Sequence, residues 1–326
     1  MHRFLISTIC FYDAVGGVAL TKIELYRSLT SPYSAQSEGK NATRIGDGSF
    51  YAFLLSLGDV ESEPRILSRR GFYFLAKNKL GYERRIHFSK AGIKKWRIAA
   101  KMVRALSFLP YTRMIAVTGS LSMNTATAAS DIDLLVVSKN DRIWTTRALV
   151  TAVMHVIRKR RHGSFISDRI CLNHYISEAD MTLVPKNLFS AHIFLSLIPI
   201  WGYSSTKSEL ARRNQLWTSN YFNNGRKQNM NLREFISGSK VSTAKKILEK
   251  MIPNPTQDII ELLLKKAQSK KIKRSIKTSH IKENDIIFND SALVFHHPRP
   301  KNQEAIFLYG KNLKEYLPKT SDNYSH

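Results

Sequence analysis

Four residues of this sequence have the types and the spacing to do chemistry together: Gly119, Ser120, Asp131 and Asp133. The two carboxylates stand two residues apart at the head of an apolar run, Asp131-Ile132-Asp133-Leu134-Leu135-Val136-Val137. Side chains at i and i+2 of a strand share a face, so the two acids project together, about 7 Å apart along the chain. At that separation and an effective dielectric of about 20 they repel by roughly 2 kcal/mol, a cost that a shared divalent cation reverses. Magnesium is the natural match, since hard carboxylate oxygens at about 2.1 Å together with substrate phosphates complete its octahedron. Gly119 allows the backbone to approach a phosphate closely. The Ser120 hydroxyl and the N–H groups of a short helix after it can bind the phosphate oxygens.

Positioning these groups requires a strand on each side. Met114-Ile115-Ala116-Val117 reads as a buried strand that stops at Thr118-Gly119-Ser120, and the small-residue stretch Leu121–Ser130 leads into the acidic strand. A helix is predicted from Arg142 to Arg161, closed by Gly163, followed by a strand over Asp168–Ile176. Arg142 and Arg147, on the first turns of that helix, have the guanidinium chemistry to meet a triphosphate. The Arg158–Arg161 run reads as favourable charge at the helix C-terminus.

Gly119-Ser120, ten intervening residues and then Asp131-x-Asp133, set between two apolar strands, resembles the nucleotidyltransferase signature of the polymerase beta superfamily. The resemblance implies an α+β fold with a mixed sheet, two magnesium ions held by Asp131 and Asp133, and a nucleoside triphosphate held at Gly119 and Ser120. It also implies a third carboxylate on a later strand. Two residues compete for that position: Asp168, at the start of the predicted strand, and Asn173, mid-strand, where the acid would more naturally fall but where an amide offers only a neutral oxygen. The wider arrangement resembles an uncharacterised group of prokaryotic nucleotidyltransferase-domain proteins. The rival expectation is a catalytically weak or inactive nucleic-acid-binding or regulatory protein that retains the fold.

Around this core, residues 1–80 read as three helices and a hairpin. Phe4, Leu5, Ile9, Phe11 and Tyr12 suit one helix, Thr21 and Glu24 form a capping box that opens a second, and the apolar stretch Phe50–Leu57 suits a third after a polar loop over Ser31–Gly48. Ile66-Leu67-Ser68 and Phe72-Tyr73-Phe74-Leu75 flank the turn signal Arg69-Arg70-Gly71. In topology this resembles a winged helix. Residues 81–110 read as a basic amphipathic connector ending at Pro110, residues 111–202 as the nucleotidyltransferase core, and residues 203–326 as a basic, mostly helical tail. In the tail, helices are predicted over Leu232–Met251 and Thr256–Thr278, divided by Pro253-Asn254-Pro255, with Ile259, Leu262, Leu263, Ile272 and Ile276 on an apolar face of the second. A short hairpin over Ile286–Phe288 and Leu293–Phe295 follows.

The formal net charge of +26 favours a polyanionic partner, and its excess lies mainly in the connector and the tail. Lys265–Lys277 holds seven basic residues in thirteen with no acid, which makes Lys270, Lys271, Lys273 and Arg274 candidate RNA contacts. Cys10 and Cys171 match no disulfide or zinc spacing. His296 and His297, or His162 and His174, likewise lack supporting metal ligands. No apolar run is long enough to span a bilayer; the longest, Ala191–Trp201, contains Pro199 and reads as core. Residues 4–12 resemble a short signal peptide, but Asp13 interrupts them and no small-residue cleavage site follows, so a cytoplasmic protein without a membrane partner is expected.

Overall fold

The computed structural model of the chain describes residues 1–32, 50–222, 239–278, 286–295 and 300–317. The N-terminal elements are α1 (His2–Gly16), β1 (Leu20–Thr21), α2 (Lys22–Arg27), α3 (Phe50–Glu61), β2 (Ile66–Arg69) and β3 (Phe72–Leu75). The Thr21 capping box with Glu24 is present at the start of α2. Arg70 and Gly71 both take positive φ, the two-residue turn whose twist matches an antiparallel hairpin. The three strands form a small antiparallel sheet in the order β1-β3-β2. The polar loop expected over Ser31–Gly48 lies almost entirely outside the described residues.

The connector is one helix, α4 (Gly81–Ser107), which ends three residues before Pro110. Then follow β4 (Thr112–Thr118), the single-turn α5 (Gly119–Ser122), β5 (Ile132–Ser138), α6 (Ile143–Val156), β6 (Ile170–Ser177), α7 (Leu188–Ser196), β7 (Ile198–Gly202) and α8 (Ser204–Thr218). The tail supplies α9 (Ser239–Met251), α10 (Asn254–Thr278), β8 (Ile287–Phe288), β9 (Ala292–Val294) and α11 (Pro300–Tyr316). The main sheet is mixed, in the order β7-β4-β5-β6-β9-β8, with β5 and β6 parallel and the other neighbours antiparallel. The molecule is thus α+β.

Both faces of the central strands are covered, which is why they read as unbroken apolar runs. Ile115, Val117, Leu134 and Val136 face α4, α6 and α10, packing with Val103, Val150 and Met154. Met114, Ala116, Leu135 and Val137 face α7 and α8, packing with Phe194 and Leu210. Each of the buried Val, Leu, Ile and Met side chains contributes about 1.5–3 kcal/mol.

Several sequence expectations change. The apolar run Ala191–Trp201 is a helix and then a strand, divided where Leu197 turns to extended backbone ahead of Pro199. Helix α6 ends at Val156 rather than Arg161, so the arginine run belongs to the following loop. Ile272 and Ile276 are buried, but Ile259, Leu262 and Leu263 are exposed, so the apolar face of α10 is only partly used. The tail does not stand apart from the rest: β9 pairs with β6, and Tyr309 and Leu313 of α11 share a core with Leu5, Ile9 and Phe11 of α1. The first residues of the helix predicted over Leu232–Met251, as well as His296 and His297, lie outside the described residues. No helix among the described residues is long and apolar enough to cross a membrane.

Candidate active site

Strand β4 delivers Gly119 and Ser120, and its neighbour β5 delivers the acids, because the antiparallel register sets Thr118 opposite Asp133. Gly119 takes φ +66° and lies against Asp133; a Cβ there would collide with the carboxylate, whose Cγ would be only 3.1 Å away. Glycine is thus required twice, by backbone conformation and by space. Asp131 lies just before β5 and Asp133 within it, each 7% exposed. Both line a cavity of about 570 Å³ together with Gly119, Ser120 and Arg161. The same cavity reaches Val15 and Gly16 of the N-terminal unit and Phe189 and His192 on α7.

The parallel register of β5 with β6 sets Cys171 beside Asp133, and the ligand atoms of Asp131, Asp133 and Cys171 lie within 4.8 Å of one another. Burial, with Asp133 and Asp131 beside it, pushes the Cys171 thiol well above its ordinary range, so it stays a neutral, soft group. Asn173 follows on the same strand and donates from Nδ2 to Asp133 Oδ1 at 3.2 Å. The position next to the acidic pair therefore holds a thiol and an amide.

Asp168 points elsewhere. It takes φ +56° and forms ion pairs with Lys94 at 2.6 Å and Lys95 at 2.7 Å, and it is not among the residues lining the cavity. Burial pushes its carboxyl up, but the hydrogen bonds from the two lysines outweigh this and hold it below the usual carboxylate range. Lys95 also donates to the carbonyls of Ala128 and Ser130, so this cluster fixes the loop that carries Asp131.

Arg142 and Arg147 are likewise held away from the cavity. Arg142 binds Gln257 and Asp258 of α10, and Arg147, half-buried, lies against Gln268 and the Phe295 ring. Their spacing serves the packing of α6 on α10. The arginine at the site is Arg161, whose Nη1 donates to Asp131 Oδ2 at 2.6 Å and touches Cys171 Sγ at 3.5 Å. Lys270, Lys273 and Arg274 lie with Lys266 and Lys277 along one exposed face of α10, while Lys271 is exposed outside that group.

Sequence reasoning missed Arg161, Lys95 and Cys171. The run of four basic residues after α6 was the available signal for Arg161. A lysine on an amphipathic helix gives no sign of burial, and Cys171 becomes visible only through strand register.

His192 is buried against Phe11 and Tyr12, with Nε2 2.7 Å from Met123 Sδ. Burial pushes its imidazole down to about 4, which leaves it neutral near pH 7.

Residues 99–171 match the family model described as the nucleotidyltransferase domain. No curated protein and no solved structure matches the chain. The segment that holds the glycine-serine pair and both buried carboxylates is thus a nucleotidyltransferase domain, consistent with a protein of the polymerase beta superfamily.

Proposed function

We propose that the protein is a magnesium-dependent nucleotidyltransferase, moving a nucleoside monophosphate from a nucleoside triphosphate to an acceptor hydroxyl, with release of pyrophosphate. The observation that carries this reading is the meeting of Asp131, Asp133, Gly119 and Ser120 in one cavity within the matched segment. The donor chemistry fits one hard divalent cation, held by the two carboxylates and completed by water and phosphate oxygens; it does not offer the third acid that a pair of ions favours. When bound, the cation would neutralise phosphate charge and favour the attacking form of the acceptor oxygen. Ser120 offers a hydroxyl to phosphate oxygens at the edge of the cavity, and Arg161 offers a guanidinium with donors beyond the one on Asp131.

A second reading has its own observation. Cys171 and Asn173 occupy the position beside Asp133, and Arg161 lies on Asp131, an arrangement that suits a nucleotide-binding protein with weak or no transfer activity. Three helices and the strand order β1-β3-β2 in the N-terminal unit support, without establishing, the reading of residues 1–80 as winged-helix-like and able to bind nucleic acid in either case.

Incubating the purified protein with each labelled nucleoside triphosphate and magnesium, with and without cellular RNA, tests the choice. Transfer of label that disappears in Asp133→Asn supports the enzyme. Nucleotide binding without transfer supports the second reading.

A further inference from the structure

Helix α6 stops at Val156, and Arg158 turns the chain out of the helix in the left-handed conformation, φ +52°. Arg160 bridges Ile170 in parallel fashion, His162 pairs with Phe165 across Gly163, and Arg169 leads into β6. Between this loop and the end of α6 lies a cleft of about 610 Å³, lined by His155, Arg158, Arg160, His162, Phe165 and Arg169 among others, with no carboxylate in its lining.

The charge in this cleft is unbalanced. Arg158, Arg160 and Arg169 line it together, no acidic residue shares the lining, and none of the three forms an ion pair among the described residues. Three guanidinium groups gathered without a counter-charge repel one another until an anion joins them.

An aromatic surface lies among these cations. Phe165 is 57% exposed, with its ring 5.2 Å from the His162 ring and the Arg169 guanidinium 5.7 Å from its centre. An exposed ring flanked by arginines offers a base a stacking surface and the adjoining phosphates their donors, the combination by which single strands are held. A duplex keeps its base faces covered and cannot use the ring.

The loop also joins this cleft to the acidic cavity. Arg160, His162 and Phe165 line the cleft, while Arg161 and Ile166 line the cavity with Asp131 and Asp133. We propose that the cleft at 155–169 binds a single-stranded nucleic acid by stacking on Phe165 and phosphate contacts from Arg158, Arg160 and Arg169, and leads its end over the loop to the acidic cavity. The strand's role as acceptor rests on the nucleotidyl-transfer reading; its binding does not. The basic face of α10 is the competing location, but Lys266, Ser269, Lys270, Lys273, Arg274 and Lys277 provide no ring for a base.

The test is fluorescence anisotropy of a dye-labelled twelve-residue oligoadenylate RNA on the full chain, without triphosphate or magnesium, at several salt concentrations. Phe165→Ala is expected to weaken binding about tenfold, within the range for losing one stacked base, and Phe165→Trp to retain it. Arg158→Ala, Arg160→Ala and Arg169→Ala combined should reduce the magnitude of the slope of log affinity against log salt by about 2, at roughly 0.7 per lost phosphate contact. Thermal denaturation checks that these exposed-loop variants remain folded, and Phe165→Trp covers the case in which Phe165→Ala does not.

Unchanged binding in both the folded Phe165→Ala and the triple-arginine variants would overturn the proposal. So would tighter binding of the matching duplex, or loss of binding only with Lys270→Glu, Lys273→Glu and Arg274→Glu. Inorganic tripolyphosphate that binds with the same arginine dependence, while the RNA shows no dependence on Phe165, would assign the cleft to a free polyphosphate instead. Binding that persists where no transfer is detected would count against the transfer reading alone.

Discussion

The Arg161 guanidinium lies on Asp131 at 2.6 Å, so one of the two buried carboxylates already has a cation beside it. A divalent ion must share Asp131 with Arg161 or displace it. Arg161→Ala is therefore expected to raise the apparent magnesium affinity about twofold to fivefold, the range for a partly exposed ion pair. The same change should raise the KM for the triphosphate by removing a phosphate donor. Calorimetric magnesium titration and transfer kinetics together check this; a fall in magnesium affinity would show that the pair supports the ion.

Asp131→Asn and Asp133→Asn should each reduce transfer at least a hundredfold, about 2.7 kcal/mol of transition-state stabilisation. The melting temperature should not fall in Asp133→Asn, which removes a buried charge from a pair that repels when no divalent ion is bound, whereas Asp131→Asn also loses the ion pair with Arg161 and should fall slightly. Label transfer and thermal denaturation without magnesium are the measurements.

Gly119→Ala should cost stability and activity together. The left-handed backbone at φ +66° costs an alanine on the order of 1–2 kcal/mol, and the new methyl must also displace the Asp133 carboxylate. A lowered denaturation midpoint with lost transfer is expected. Ser120→Ala, at a position without that backbone constraint, should keep the midpoint and lose nucleotide affinity.

Asn173→Asp would set a third carboxylate beside Asp133, where the amide is now 3.2 Å away. Without a cation the new repulsion should lower the melting temperature by a few degrees, since about 1 kcal/mol shifts a domain of 150–250 residues by roughly 2–4 °C. Magnesium should restore it and raise transfer. Melting curves with and without magnesium chloride, alongside the transfer assay, would show whether the natural asparagine attenuates an enzyme.

His192 predicts a stability slope in mild acid. Its folded imidazole is pushed down to about 4 by burial, while an unfolded histidine titrates near 6.5. Between those values the unfolded chain binds the extra proton, so stability falls as the pH drops from about 6.5 to 4, by at most ~1.4 kcal/mol per pH unit. His192→Phe should flatten that part of the profile in denaturant titrations.

The local signals in the sequence were strong where chemistry and geometry coincide. Alternation along β5 placed Asp131 and Asp133 together, the positive-φ turn at Arg70-Gly71 had its glycine, and Thr21 had its capping partner Glu24. What escaped depends on contacts distant in sequence. Arg142 looks like any phosphate ligand until Asp258, 116 residues later, takes its guanidinium. The end of α6 was misread because Lys, Arg and Ile are all acceptable helix formers, and the fold, not propensity, turns the chain at Arg158. Cys171 joins the acids only through a parallel register that no local pattern encodes.

The three acceptors around Lys95 have a consequence for how the site opens. Its side chain is 1% exposed, and its ammonium donates to Ala128 O at 3.1 Å, Ser130 O at 2.6 Å and Asp168 Oδ1 at 2.7 Å. An ammonium carries three hydrogens, so releasing any one acceptor leaves a buried charged donor unmatched. The backbone adds its own ties between the same segments, Asp168 N to Ser130 O and Ile132 N to Arg169 O. The two loops and the middle of α4 therefore separate together or not at all. In native-state hydrogen exchange, the Ile132 and Asp168 amides should exchange as one cooperative unit with a single opening free energy, and Lys95→Met should release both at once.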